Sequence, residues 1–140
     1  MNRLLALAGA LALAIVAAGT TAGADDKDKP PSIKEIMTRA HKGGDAALSR
    51  ARAANKKGDF DELTKQAGTL VKLGQDLSRA RPEKGEAKSW KALTADYVKK
   101  AKALEKAAKD KDRAETKQAL DNLGSSCGKC HKAHRPKAGA

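Results

Sequence analysis

The sequence predicts an all-α protein, an antiparallel up-down four-helix bundle, on three observations. Ala, Lys, Leu and Glu dominate the 140 residues, and 33% of side chains are charged, a composition that favours helix. Strand formers are scarce. The aromatics are Phe60, Trp90 and Tyr97, and beyond residue 24 the β-branched aliphatics are Ile33, Ile36, Val71 and Val98, too few for a sandwich or barrel. Beyond residue 31, apolar residues recur at three- and four-residue spacings in four stretches of roughly 20 residues, and such stretches joined by short loops pack as antiparallel neighbours.

The first 24 residues read as an address. Arg3 precedes an apolar run from Leu4 to Ala18 broken by Gly9, and Ala22-Gly23-Ala24 has the small-x-small form of a signal-peptidase site. Residues 1–24 are expected to be a secretory signal peptide cleaved after Ala24. The run is short for a membrane span, so no stable anchor is expected after cleavage, and the location implied is periplasmic or secreted. Residues 25–31 are charged and end in Pro30-Pro31; they read as a disordered lead-in. Residues 32–136 are the expected bundle and 137–140 a tail.

Segment one starts at Ser32, where Ser32-x-x-Glu35 forms a capping box. Ile33, Ile36, Met37, Ala40, His41, Gly44, Ala47, Leu48 and Ala51 share one face, and the segment ends between Asn55 and Gly58. Gly43-Gly44 weakens its middle, since each Gly costs ~1 kcal/mol against Ala. A break, or the close approach of something bulky, would explain the pair. Segment two starts at Asp59, carries Leu63, Ala67, Leu70, Gly74 and Leu77 as its stripe, and stops at Arg81-Pro82. Segment three opens between Pro82 and Gly85 and buries Trp90, Leu93, Tyr97, Ala101 and Leu104. Trp90 and Tyr97 are read as packing. Segment four begins at Asp112, with Glu115 as a second capping box, and runs through Thr116, Ala119, Leu120, Leu123, Cys127, Cys130, His131 and His134 to Pro136.

Two features of this chain need a partner. Residues 25–140 hold 17 large apolar side chains, a thin core for a domain of that length. The formal net charge is +12. Nucleic acid is not the expected partner, because an exported protein rarely meets it and no aromatics interleave with the lysines. Solvated helix faces and steering toward an acidic partner fit better.

One motif carries chemistry. Cys127-Gly128-Lys129-Cys130-His131 is C-x-x-C-H, the attachment pattern of c-type haem. Two thiols at this spacing meet the two vinyl groups on one edge of the macrocycle, and the adjacent His131 turns toward the iron as proximal ligand. A redox dithiol needs only C-x-x-C, normally at a helix N-terminus in a βαβ unit, which is absent from this sequence. A zinc site from Cys127, Cys130, His131 and His134 would place four ligands on one helical stretch, a poor tetrahedral cage. One covalent haem c, held by Cys127 and Cys130, is the expected cofactor. It would also supply the missing apolar volume.

A C-x-x-C-H near the end of the last helix of a four-helix bundle resembles the cytochrome c-prime family and its low-spin relatives. The flanking stretch, Cys127-Gly128-Lys129-Cys130-His131-Lys132-Ala133-His134-Arg135, is similar to that family's C-x-x-C-H-x-x-[aromatic]-[Arg/Lys]. His134 stands in the aromatic position. Arg135 matches the basic one, which the resemblance implies contacts a haem propionate. The resemblance also implies that the residue facing the iron comes from the first helix, and that a homodimer is possible, although no uninterrupted apolar stripe demands one. Counting residues from the turns at a helical rise of 1.5 Å, both His41 and Met37 reach the depth of His131. His41 is favoured as distal ligand and Met37 is the alternative. His134 is expected to border the haem or solvent, not to ligate. Lys129, Lys132, Arg135 and Lys137 form a basic collar, read either as a solvated helix end or as a dock for an acidic redox partner.

The expected function is one-electron transfer by an exported, single-haem c-type cytochrome with six-coordinate iron. The alternative, implied by the open-site members of the resembling family, is a five-coordinate protein that binds NO or CO. No residues are arranged for hydrolysis or group transfer, so no enzyme activity is expected.

Overall fold

The structure is a computed structural model and describes residues 30–136. The expected signal peptide, most of the lead-in and the tail from Lys137 lie outside the described residues. The helices are α1 (Ile33–His41), α2 (Ala47–Lys57), α3 (Phe60–Arg79), α4 (Ala87–Lys109) and α5 (Arg113–His134), with no strand among the described residues.

Local sequence explains where α1, α3 and α5 start. At Ser32 the full capping box forms: the Ser32 hydroxyl accepts from the Glu35 N–H, and Glu35 accepts from the Ser32 N–H at 2.7 Å. Such a cap contributes about 1 kcal/mol. Asp59 and Asp112 accept from the N–H groups of Glu62 and Glu115 at 3.0 and 2.9 Å. At Asp112 the side chain thus caps the helix as expected, while the returning Glu115 half of a box is not formed among the described bonds.

The expected first segment is divided. Lys42 leaves the helix in an extended conformation, Gly43 turns at φ +86, and α2 begins at Ala47 behind Ala46, which offers no side-chain cap. Left-handed backbone of this kind suits glycine because there is no Cβ to clash. The Ser49 hydroxyl donates to the Gly43 carbonyl at 2.8 Å, which fixes the angle between the two short helices. The Gly43-Gly44 pair is therefore a true break.

The helices pack as a bundle in which consecutive elements are neighbours. α3 lies against α2 and α4, and α4 against α5, while α1 rests on α2 and α3. Ile36, Leu63, Leu70, Leu104 and Leu123 are fully enclosed, each contributing roughly 1.5–3 kcal/mol by burial. Gly74 lets α3 and α4 approach closely: a Cβ there would stand 2.7 Å from the Tyr97 ring. The buried Thr94 hydroxyl donates to the Trp90 carbonyl at 2.9 Å, and the buried Thr116 hydroxyl to that of Asp112. The opposite side is looser. α5 meets α2 only sparsely and makes no close backbone approach to α1 among the described residues.

Candidate functional site

The sparse seam is where α5 carries its chemistry. Cys127 and His131 are one turn apart, so helical geometry places them on one side. Both thiols are free and half-buried. The Cys127 sulfur lies 3.9 Å from the Leu123 carbonyl, and Cys130 packs against the edge of the core. Burial pushes both thiols up; Cys127 raises Cys130 further, while Arg52 and Lys100 pull Cys127 back down. His131 is exposed, and no hydrogen bond engages its ring among the described residues.

Facing this helix, at the last residue of α1, is His41. It is half-buried, and its Nε2 lies 3.1 Å from the Tyr97 hydroxyl. The two rings meet edge to face with centroids 5.7 Å apart. Burial lowers the His41 pKa, and the charges of His131 and Arg52 lower it further; His41 and His131 thus lie within electrostatic reach of each other. Tyr97 is pushed well above its usual range, first by burial and then by Cys127. Its hydroxyl therefore stays protonated and able to donate or accept. The His41 Nδ1 is buried with no partner. When Nε2–H donates to Tyr97, the Nδ1 lone pair is left free, the state a metal requires of an imidazole.

Arg52 closes the seam from α2. Its guanidinium lies over Gly124, where a Cβ would come within 2.8 Å of Nη2. It also borders a groove of about 580 Å³ between α2 and α5, lined further by Asn55, Lys56, Arg113, Lys117 and Leu120. The Asn55 Oδ1 is buried there without a partner. Both unpartnered buried side-chain atoms of the described residues thus sit on the α1–α2 side.

Other expected positions are distributed as follows. Met37 is half-buried and packs on the core. Lys129, Lys132 and Arg135 are exposed, and the Arg135 N–H donates to the His131 carbonyl at 3.0 Å; Lys137 lies outside the described residues. His134, expected to border the haem or solvent, is only 5% exposed and is turned onto Trp90, so it does not face solvent. No group of three or more His, Cys, Asp or Glu converges as a metal cage among the described residues. Two residues were not legible as site residues. Tyr97 reads as core stripe, and Arg52 is one of 29 cations with no signal to set it apart.

The family model described as Cytochrome C' matches residues 37–135. The chain belongs to the cytochrome c-prime family. No curated protein and no solved structure matches it. The matched span runs from Met37 to Arg135 and so contains His41, Tyr97, Cys127, Cys130 and His131. Cytochrome c-prime proteins carry covalently bound haem c and are typically periplasmic. The residues present fit that group. Two free thiols stand at the spacing of the vinyl attachment, an imidazole without a hydrogen bond follows them, and a second imidazole, within electrostatic reach of the first, carries a buried nitrogen without a partner. Among the described residues no helix is long and apolar enough to cross a membrane.

Proposed function

We propose that this chain is an exported electron carrier holding one haem c through Cys127 and Cys130. His131 is the proximal ligand, and His41 is the distal ligand in preference to Met37. When bound, the haem supplies a one-electron Fe(III)/Fe(II) couple. The polypeptide supplies the rest. Cys127 and Cys130 would hold the group as thioethers, each thiol giving its sulfur to one vinyl carbon and its proton to the other, with no leaving group and no net oxidation. His131, free of other bonds, offers its imidazole. Tyr97, seated in the notch at Gly74, holds His41 at Nε2, and accepting from Nε2–H leaves the Nδ1 lone pair free for the iron.

The observation that carries this reading is the unpartnered Nδ1 of His41, within electrostatic reach of His131. A buried polar atom without a partner costs about 1–3 kcal/mol, and a ligand in the seam removes that cost. Met37 lies one turn earlier and is already engaged by the core. The exposed Lys129, Lys132 and Arg135 next to the half-exposed thiols support docking of an acidic redox partner. Export follows from the N-terminal pattern, since haem c is attached outside the cytoplasm. We assign no catalytic turnover.

One observation favours the five-coordinate, gas-binding alternative: Tyr97 already occupies His41 at Nε2. Absorption spectra decide between the two. Low-spin bands in ferric and ferrous protein, converted to high-spin by His41→Ala and not by Met37→Ala, are the expected result. High-spin bands in the wild type with ready CO binding would establish the alternative.

A further inference from the structure

We propose that His134 is a positioning residue: it docks the last turn of α5 onto the α3–α4 connection and so sets the angle at which His131 is presented. This rests on the haem reading above and concerns how the proximal ligand is held.

His131 has no hydrogen bond of its own to orient it among the described residues, so its direction is the direction of α5. Yet the end of α5 is thinly anchored. Beyond Leu123, only Ser126 and His134 are buried, and the Ser126 hydroxyl bonds within its own helix, to the Leu123 carbonyl. Helix ends without external partners fray. His134 is the buried residue of this stretch that bonds outside α5.

Its anchoring is complete and directional. Nδ1 lies 2.8 Å from the Lys84 carbonyl and Nε2 lies 3.1 Å from the Ser89 hydroxyl. Nδ1–H donates to the carbonyl, which leaves Nε2 to accept from Ser89. The ring stands edge to face on Trp90, with centroids 5.1 Å apart. Trp90 is itself fixed, its indole N–H donating to the Ala80 carbonyl at 2.8 Å. The loop meets the helix without slack: Gly85 adopts φ +88, and a Cβ there would lie 2.5 Å from His134 Nδ1 and 2.7 Å from the Ala133 carbonyl.

The two histidines are three positions apart, so at 3.6 residues per turn they stand about 60° apart around α5. Fixing the His134 ring onto α4 fixes the azimuth at which the His131 side chain leaves the helix. The same bonds have a selective consequence. Both nitrogens of His134 are used within the protein, which leaves His131 as the uncommitted imidazole on this helix. A phenylalanine at this place would keep the contact with Trp90 and lose both bonds, which separates stacking from anchoring.

The test compares haem-loaded wild type with His134→Phe, His134→Ala, His134→Asn and Ser89→Ala, and with Leu70→Ala as a core control. Hyperfine-shifted haem-methyl resonances of the ferric protein report the plane of the axial imidazole. The melting midpoint reports stability. The expected result is an altered methyl pattern in His134→Phe and His134→Ala and a smaller change in Ser89→Ala. His134→Asn, whose amide N–H stands near the place of Nδ1, should recover part of the wild-type pattern. Leu70→Ala should melt earlier with its pattern unchanged. Should His134→Ala fail to fold, His134→Phe and Ser89→Ala carry the test. Loaded variants that melt early yet keep the wild-type pattern overturn the positioning role alone. Wild-type protein without a haem spectrum overturns the functional reading, and this role with it.

Discussion

α5 has one side sealed by protein and one side left unfinished. Toward α4, Leu104 and Leu123 are enclosed, and the buried polar groups Thr94, Thr116 and His134 all have partners. Toward α1 and α2, the Arg52 and Arg113 guanidiniums reach across the gap, Arg113 to the Lys56 carbonyl at 2.8 Å, His41 Nδ1 and Asn55 Oδ1 are orphaned, and two thiols are half-exposed. Both sides belong to one helix of one small protein, so the difference is not a matter of overall stability. Side chains close the first interface completely because apolar residues meet apolar residues there. The second presents unmatched polar groups around a seam, the pattern of a surface made to receive something.

The largest expected effect lies on the sealed side. Leu104→Ala should cost about 2–5 kcal/mol, read as a shift in denaturant midpoint, with the haem spectrum of the surviving folded protein unchanged. On the open side, His131→Ala should barely alter helix content but should change the iron's spectrum. A large loss of folding in His131→Ala with a small one in Leu104→Ala would reverse the comparison. Gly74→Ala joins the two sides, because its Cβ would press on the Tyr97 ring. Overpacking of this kind costs roughly 1–3 kcal/mol, and it should also disturb His41 spectroscopically.

Tyr97→Phe should cost about 1 kcal/mol, the worth of one hydrogen bond. Tyr97 is the single tyrosine, so phenolate absorbance reads it directly. Its midpoint should lie above the ordinary value of 10.0 because burial disfavours the phenolate. An acid whose pKa is raised on folding contributes stability that is intact below the unfolded pKa and is lost as pH rises beyond it. Chemical denaturation at pH 9 and 11 should therefore show a larger loss in the wild type than in Tyr97→Phe. The smallest effect is expected for Arg52→Gln. Its exposed side chain should change stability by less than about 0.5 kcal/mol, while removal of a cation beside the site should lower the reduction potential.

How well the sequence foretold the molecule differs between these same two sides. The stripes of α3, α4 and α5 were legible because a 3.6-residue period of Leu, Ala and aromatics leaves one arrangement. The attachment motif was legible because two cysteines and a histidine at fixed spacing define the chemistry. The division of the first segment was half visible: Gly43-Gly44 marked the place, but whether the chain turns there depends on the left-handed φ that tertiary packing selects. The roles of Tyr97, Arg52 and His134 were not legible. Each depends on contacts between residues 45 or more positions apart, such as Ser89 with His134 and His41 with Tyr97, and periodicity carries no information about such pairs. The place of His134 is an instance. Counted along the helix it falls beside the haem motif, and only the loop at Lys84–Gly85 reveals which way it is drawn.

The central claim is that a haem fixed to Cys127 and Cys130 completes the unfinished side. Intact mass of the exported protein, recorded under denaturing conditions together with the absorption spectrum, tests it most directly. The expected result is the polypeptide plus one haem, retained after unfolding and lost on Cys127→Ser/Cys130→Ser substitution. A folded, colourless wild-type protein of polypeptide mass, or one whose two cysteines are joined to each other, would contradict it.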